Sequence, residues 1–155
     1  AAILFPTLGT LPIPVKIDTG AYGSVLHCEK IHFAKDDKGN KALVATLLNH
    51  PTSPEFHHEV RFDKYEEVEV FSSTGHSEKR YRVSLPVELM GLSFVTDFTL
   101  TDRSHAVFPV LLGRRSIKKR FIVDVSKKGY SYKTLMSLTS NHKHWVTADQ
   151  LKEEL

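Results

Sequence analysis

Cysteine is almost missing from this chain: Cys28 is the single one in 155 residues. An internal disulfide is therefore impossible, and no cysteine-based zinc site can be built. Cys28 closes the apolar stretch Val25-Leu26-His27-Cys28, which reads as a strand carrying a buried, inert thiol rather than a nucleophile. Long apolar runs are missing too. None approaches the roughly 18 residues a helix needs to cross a bilayer, so no membrane span is expected. The chain has no His-Glu-x-x-His and no Gly-x-x-x-x-Gly-Lys-(Ser/Thr), which removes the sequence signatures of a zinc-peptidase helix and of a nucleotide P-loop. Repeats, linkers and low-complexity segments are also lacking. The start, Ala1-Ala2-Ile3-Leu4-Phe5-Pro6, has neither a basic n-region nor a long apolar core and does not read as a signal peptide. Without an initiator Met, it fits a trimmed chain or a mature form. The cytoplasm is the expected compartment, with a mature exported form as the alternative.

Strong charge of one sign is absent as well. The net charge is +3, and it is uneven. Residues 1–75 carry 7 Lys and Arg against 10 Asp and Glu, or −3, whereas residues 76–155 carry 14 against 8, or +6. This is far too weak to imply nucleic-acid binding, although a basic second half suits acidic substrates. What remains is ordinary for a globular protein: 41% hydrophobic and 25% charged residues, in a length sufficient for one domain with a real core.

The patterning is mostly that of strands. Leu11 to Ile17 alternates, with prolines that suit a strand edge. Ser24–Cys28 and Ile31–Ala34 are short strand candidates, and Ala42–Leu48 is another. The polar run Lys35-Asp36-Asp37-Lys38-Gly39-Asn40 marks a hairpin loop between Phe33 and Leu43. Residues 49–58, with two prolines, read as a loop. Val68–Phe71 and Tyr81–Leu85 bracket a Gly-bearing tip at 72–78, the pattern of a long hairpin. Met90-Gly91 marks a turn into a strand over Leu92–Thr101. Phe108–Gly113 is a continuous apolar run and predicts a buried strand. Arg114–Phe121 predicts one short helix, and Phe121–Val125 a further strand. Thr147 and Gln150 fit a capping box opening a short C-terminal helix, with Leu151 and Leu155 on one face. Many short strands with few helices predict an all-β, barrel-like domain.

The stretch that carries chemistry is Lys16-Ile17-Asp18-Thr19-Gly20-Ala21. Val15 and Ile17 lead into an acid on a tight turn. A solvated carboxylate, with an ordinary pKa of about 3.9, is a weak base. Two carboxylates about 3 Å apart cannot both ionise and share one proton. One then takes a proton from water while the other polarises a scissile carbonyl. The motif occurs once, so the second carboxylate has to come from elsewhere. Gly20 clears space for close backbone approach. The Gly20 and Ala21 amides are candidate donors to the carboxylate, and the Thr19 hydroxyl is a candidate tie between two such turns. The late Val110-Leu111-Leu112-Gly113-Arg114 supplies an apolar strand to cross beneath the acidic turn.

With strand, Asp-Thr-Gly-Ala, hairpin, Leu-Leu-Gly-Arg and helix in this order, the chain resembles the retropepsin-like aspartic proteases. It is most similar to a bacterial subgroup labelled ATP-dependent zinc proteases, some of them associated with glutamate-ligase systems. The matching stretches cover most of residues 11–125: Lys16–Ala21, Ser24, Leu26-His27, Ser72–Arg80, Thr99–Ser104 and Phe108–Arg114 to Val123-Asp124. Residues 126–155 form an extension that the resemblance does not explain. It implies an acid-protease barrel over residues 1–125 acting as a C2 homodimer on a peptide or protein. Asp18 would be the catalytic acid, with Thr19, Gly20 and Ala21 as its supporting turn. Ser73, Thr74 and Gly75 would cover substrate, and Leu111, Leu112, Gly113 and Arg114 would form the structural loop beneath. Viral retropepsins place an acid four residues after the catalytic one to pair with the late arginine. Here that residue is Tyr22, so Arg114 must find another partner.

The subgroup's zinc and ATP labels find no support in these residues, and no metal or cofactor is expected. His57-His58 would point to opposite faces of a strand, and His142 and His144 lie in a polar terminal stretch. Trp145 reads as a packing anchor. Arg114, Arg115, Lys118, Lys119 and Arg120 read as one basic helical face, solvated apart from one structural arginine, with a polyanion or acidic-peptide contact as the sharper alternative. Three functions fit: an aspartic peptidase with an Asp18 pair, a non-catalytic peptide- or partner-binding barrel, and hydrolysis of isopeptide bonds or poly-glutamate tails by the same pair.

Overall fold

The computed structural model describes residues 1–9, 12–51, 53–72 and 74–123, with the side chains of 53–56 outside the description. Among these, nine strands run in chain order: β1 (Ala2–Leu4), β2 (Ile13–Ile17), β3 (Val25–Lys35), β4 (Lys41–His50), β5 (Ser53–Phe62), β6 (Glu66–Phe71), β7 (Ser77–Leu89), β8 (Leu92–Thr101) and β9 (Val110–Leu112). A 3-10 turn at Pro6–Leu8 and one helical turn, α1 (Arg114–Ile117), complete the set.

The order β3-β8-β7-β1-β2-β9 closes on itself because β9 also pairs with β3. The result is a six-stranded barrel, the all-β architecture expected from the sequence. β4 and β5 extend from β3 outside the ring, and β6 extends from β7. Two pairings are parallel, β2 with β9 and β3 with β8. Closure leaves these six strands without an open edge over their paired residues.

Period-two patterning explains which faces turn inward. On β7, Val83, Leu85, Val87 and Leu89 are buried, while Ser84 between the first two is exposed. On β8, Thr96, Phe98 and Leu100 do the same. Phe98 meets Phe5 with ring centroids 5.7 Å apart, beside Ile3, Ile13, Leu26 and Leu112, all fully buried. Each such side chain contributes about 1.5–3 kcal/mol on burial.

Several local expectations need correction. Residues 49–50 and 53–58 belong to strands rather than to a loop. His50 already pairs with Ser53, and β5 continues to Phe62 against β4. Leu48 and Asn49 take positive φ, 68° and 57°, where the β4–β5 register shifts between Leu48 and His50. β5 pairs only with β4, an edge position that tolerates proline. β2 is no edge, since β1 and β9 flank it, but pairing with β9 begins at Val15. Pro14 therefore lies one residue short of the second ladder. The two strand candidates over 24–34 are one strand, β3, with an irregularity between Cys28 and Lys30. The apolar run 108–113 is strand only over Val110–Leu112. The helix stops at Ile117, because Lys118 turns extended and Lys119 takes φ 65°. Phe121–Val123 is not strand and Ile122 is fully exposed, while residues 124–125 of that expected strand lie outside the described residues. The 35–40 hairpin is as expected, with Asp36 Oδ1 accepting from the Lys38 and Asn40 amides. Leu11, the expected C-terminal helix from Thr147, the 126–155 extension, His142, His144 and Trp145 lie outside the described residues.

Candidate active site

Asp18 follows directly on β2, where the parallel ladder with β9 ends. Its amide donates to the Leu112 carbonyl at 2.9 Å. That bond continues the β2–β9 pairing by one residue and fixes where the turn begins. Asp18 Oδ1 then accepts from the Gly20 amide at 2.9 Å, which stabilises a carboxylate and sets its rotamer. The expectation for the Ala21 amide needs correction: it donates to the Asp18 backbone carbonyl at 3.3 Å, not to the carboxylate. Asp18 is half-buried and Thr19 exposed. The Thr19 hydroxyl has no hydrogen-bond partner among the described residues.

The close backbone approach lies at Gly113 rather than Gly20. A Cβ on Gly20 would meet only Asp18 Oδ1, at 3.2 Å. One on Gly113 would lie 2.4 Å from the Gly23 carbonyl oxygen and 2.6 Å from that of Tyr22. Here α1 docks on the acidic turn. The Arg114 amide donates to Ala21 O at 2.8 Å and the Arg115 amide to Tyr22 O at 2.9 Å. The Gly113 amide donates to buried Ser24 Oγ at 3.1 Å. Ser24 Oγ in turn shares a hydrogen bond with Ser116 Oγ, which also bonds Thr96 Oγ1 at 2.7 Å. This hydroxyl chain joins the residue before β3 to α1 and β8 beneath the turn.

Arg114 does find a partner in place of the missing acid. Its Nη1 donates to the Thr19 carbonyl at 2.9 Å, and its guanidinium lies 5.9 Å from the Tyr22 ring centroid. The other basic residues do not share one face. Arg115 pairs with Asp97 at 2.8 Å, while Arg120 bonds the Ser116 carbonyl and lies over the Phe94 ring. A one-turn helix cannot gather them.

The β6–β7 hairpin forms as expected, with paired strands and a tip at 72–76. Ser72 Oγ bonds Thr74 Oγ1 at 2.8 Å, and Gly75 has φ +84°, the left-handed conformation that glycine adopts freely. Ser73 lies outside the described residues. The structure thus brings Asp18, Thr19, Gly20 and Ala21 together with Leu112, Gly113 and Arg114. The hydrogen bonds of Ser72, Thr74 and Gly75 stay within the hairpin tip.

A second polar cluster escaped the sequence reading. His27 and His50 are buried edge to face, ring centroids 5.1 Å apart. The Arg103 amide donates to His27 Nδ1, and His50 Nε2 donates to the Arg103 carbonyl, both at 2.8 Å. Burial first, then the neighbouring His50, lowers the His27 pKa. Burial also pushes the Cys28 thiol up to about 11, as an inert core thiol requires. Among the described residues no three His, Cys, Asp or Glu side chains are grouped to hold a metal ion.

Residues 6–134 match the RimB-like family, described as retropepsin-like aspartic endopeptidase RimB. Proteins called probable alpha-L-glutamate ligase are similar: those of Shewanella pealeana and Shewanella halifaxensis are each 30% identical over 125 residues. That alignment covers 79% of this chain and 27% of theirs. The Desulfotalea psychrophila protein of the same name is 29% identical over 122 residues. The chain therefore spans about a quarter of the length of the curated relatives it matches. A crystal structure of a Legionella pneumophila protein of unknown function shares the fold. Its TM-score is 0.53 at 23% identity, covering 75% of this chain and 80% of that one.

Proposed function

The chain belongs to the RimB-like family of retropepsin-like aspartic endopeptidases, and on that premise we propose that it hydrolyses peptide or isopeptide bonds as a C2 homodimer with Asp18 from each copy. The observation that carries this is the Asp18 turn, with its carboxylate fixed by the Gly20 amide and its backbone tied to Leu112. A twofold axis beside this turn presents the same carboxylate twice. The pair holds one proton between two acids. The ionised member takes a proton from the attacking water, and the protonated member donates to the scissile carbonyl oxygen. Collapse of the tetrahedral intermediate then sends a proton to the leaving amine. Arg114 holds the Thr19 carbonyl and thereby the turn, and the exposed Thr19 hydroxyl faces the partner's turn. Ser73, Thr74 and Gly75 cover the bound substrate.

The substrate we propose is acidic, a glutamate-bearing peptide or tail. The basic second half of the chain supports this, as do relatives whose name is glutamate ligase. Acidic and neutral peptides incubated with wild type and Asp18→Asn test both points. The variant is expected to keep its fold and lose activity by about 10²–10⁴-fold. Retained hydrolysis would remove Asp18 from the mechanism. Binding of peptide by the wild type without cleavage would indicate a recognition module instead.

A further inference from the structure

Arg80 pairs with Val68 across the hairpin, on the β7 side, and the next residue, Tyr81, pairs with Leu100 of β8. β8 ends at Thr101, so the antiparallel register brings Arg80 and Arg103 to the same end of the β7–β8 pair. Arg103 is held firmly there. Its Nε donates to the Phe108 carbonyl at 2.9 Å, and its backbone lies between His27 and His50. Arg80 is held less completely. Its side chain is 20% exposed, and its Nη2 donates to Glu78 at 3.2 Å. Its Nε is buried and has no hydrogen-bond partner, the one such side-chain atom among the described residues.

The two guanidinium charges act on each other: burial, and then the charge of Arg80, lower the proton affinity of Arg103. Glu78 serves Arg80, whereas Asp102, beside Arg103 in sequence, accepts from the Ser104 amide and lies 3.7 Å from His27 Nδ1. Among the described residues one carboxylate therefore answers two cations. A buried donor without an acceptor and two neighbouring like charges are each unfavourable. A single oxyanion relieves both, and the planar fork of arginine suits it.

We propose that Arg80 and Arg103 form an oxyanion-binding site at the base of the β6–β7 hairpin, for a phosphate or carboxylate group. This site is separate from the Asp18 turn. Arg103 is bonded to Phe108, before β9, whereas Asp18 is bonded to Leu112, at the end of β9. An anion bridging the two arginines ties the hairpin arm to the 102–108 loop.

The arginine Nε–H resonances read this directly. Inorganic phosphate and acetate, each titrated into the full chain against chloride at matched ionic strength, separate phosphoryl from carboxylate ligands. At least one is expected to give a saturable downfield shift of the Arg80 Nε–H. The Arg103→Lys variant is expected to bind about tenfold more weakly. A linear, unsaturated drift with both anions overturns the site. So does saturation that Arg103→Lys leaves unchanged. Should that variant fail to fold, the wild-type titrations still decide, because they need no substitution.

Discussion

Replacing Gly113 with alanine adds one methyl group at the point where α1 meets the acidic turn. That methyl would lie 2.4 Å from Gly23 O and 2.6 Å from Tyr22 O. Both are backbone atoms, so no side-chain rotation gives relief. The two segments must separate by about 0.6 Å or more to reach 3.0 Å, the lower limit of real Cβ contacts. Three hydrogen bonds span the gap: Gly113 N–H to Ser24 Oγ, Arg114 N–H to Ala21 O and Arg115 N–H to Tyr22 O. At about 0.5–1.5 kcal/mol net each, weakening all three predicts a loss of about 2–4 kcal/mol, near the upper range for overpacked sites. For a domain of this size that lowers Tm by about 6–12 °C. Urea unfolding of Gly113→Ala and wild type, with the slope unchanged, measures the energy, and thermal unfolding measures the Tm. A Tm within a degree or two of wild type would refute the close approach, and with it the docking of α1 on the Asp18 turn.

Two further outcomes follow from buried groups. Cys28, with its pKa pushed up to about 11, is expected to resist iodoacetamide at neutral pH in the folded protein and react promptly in urea. Fast native alkylation would mean the thiol is not in the core. His27 has a native pKa below the ordinary value of 6.5 because it is buried beside His50. The unfolded chain therefore binds the extra proton first. The stability His27 contributes is complete above 6.5 and is lost as pH falls below that value and through its lower native pKa. His27→Gln is expected to flatten this acid limb in pH-dependent urea titrations, and an unchanged limb would place the linkage elsewhere.

The sequence reading recovered what is local. The Asp18 turn, the β6–β7 hairpin and the Met90-Gly91 turn each write their conformation into a few consecutive residues. It missed what is set by partners far along the chain. Ser24 and Ser116 are separated by 92 positions, and nothing in either neighbourhood marks them as joined. Gly113 and Gly20 look alike in sequence, and only the packing of α1 makes one indispensable. Pro51 and Pro54 signalled a loop, whereas β4 imposes a strand on that stretch as an edge partner. His27 and His50 became a pair through the pairing of β3 with β4 and their bonds to the Arg103 backbone, and the lone signal was a polar residue inside an apolar strand. The basic run 114–120 has helical spacing, yet its helix lasts a single turn, so its members take separate partners.

The central claim is that two copies of Asp18 make one catalytic centre. Wild type and Asp18→Asn chains, unfolded together and refolded in equal amounts, test it through the activity of the mixture per total chain. If both acids are needed, only dimers of two wild-type chains hydrolyse peptide, and an equal mixture keeps about one quarter of the activity of the same total of wild type. Activity that falls in proportion to the wild-type fraction, leaving about one half, would mean that each chain works with its own Asp18 and would contradict the shared pair.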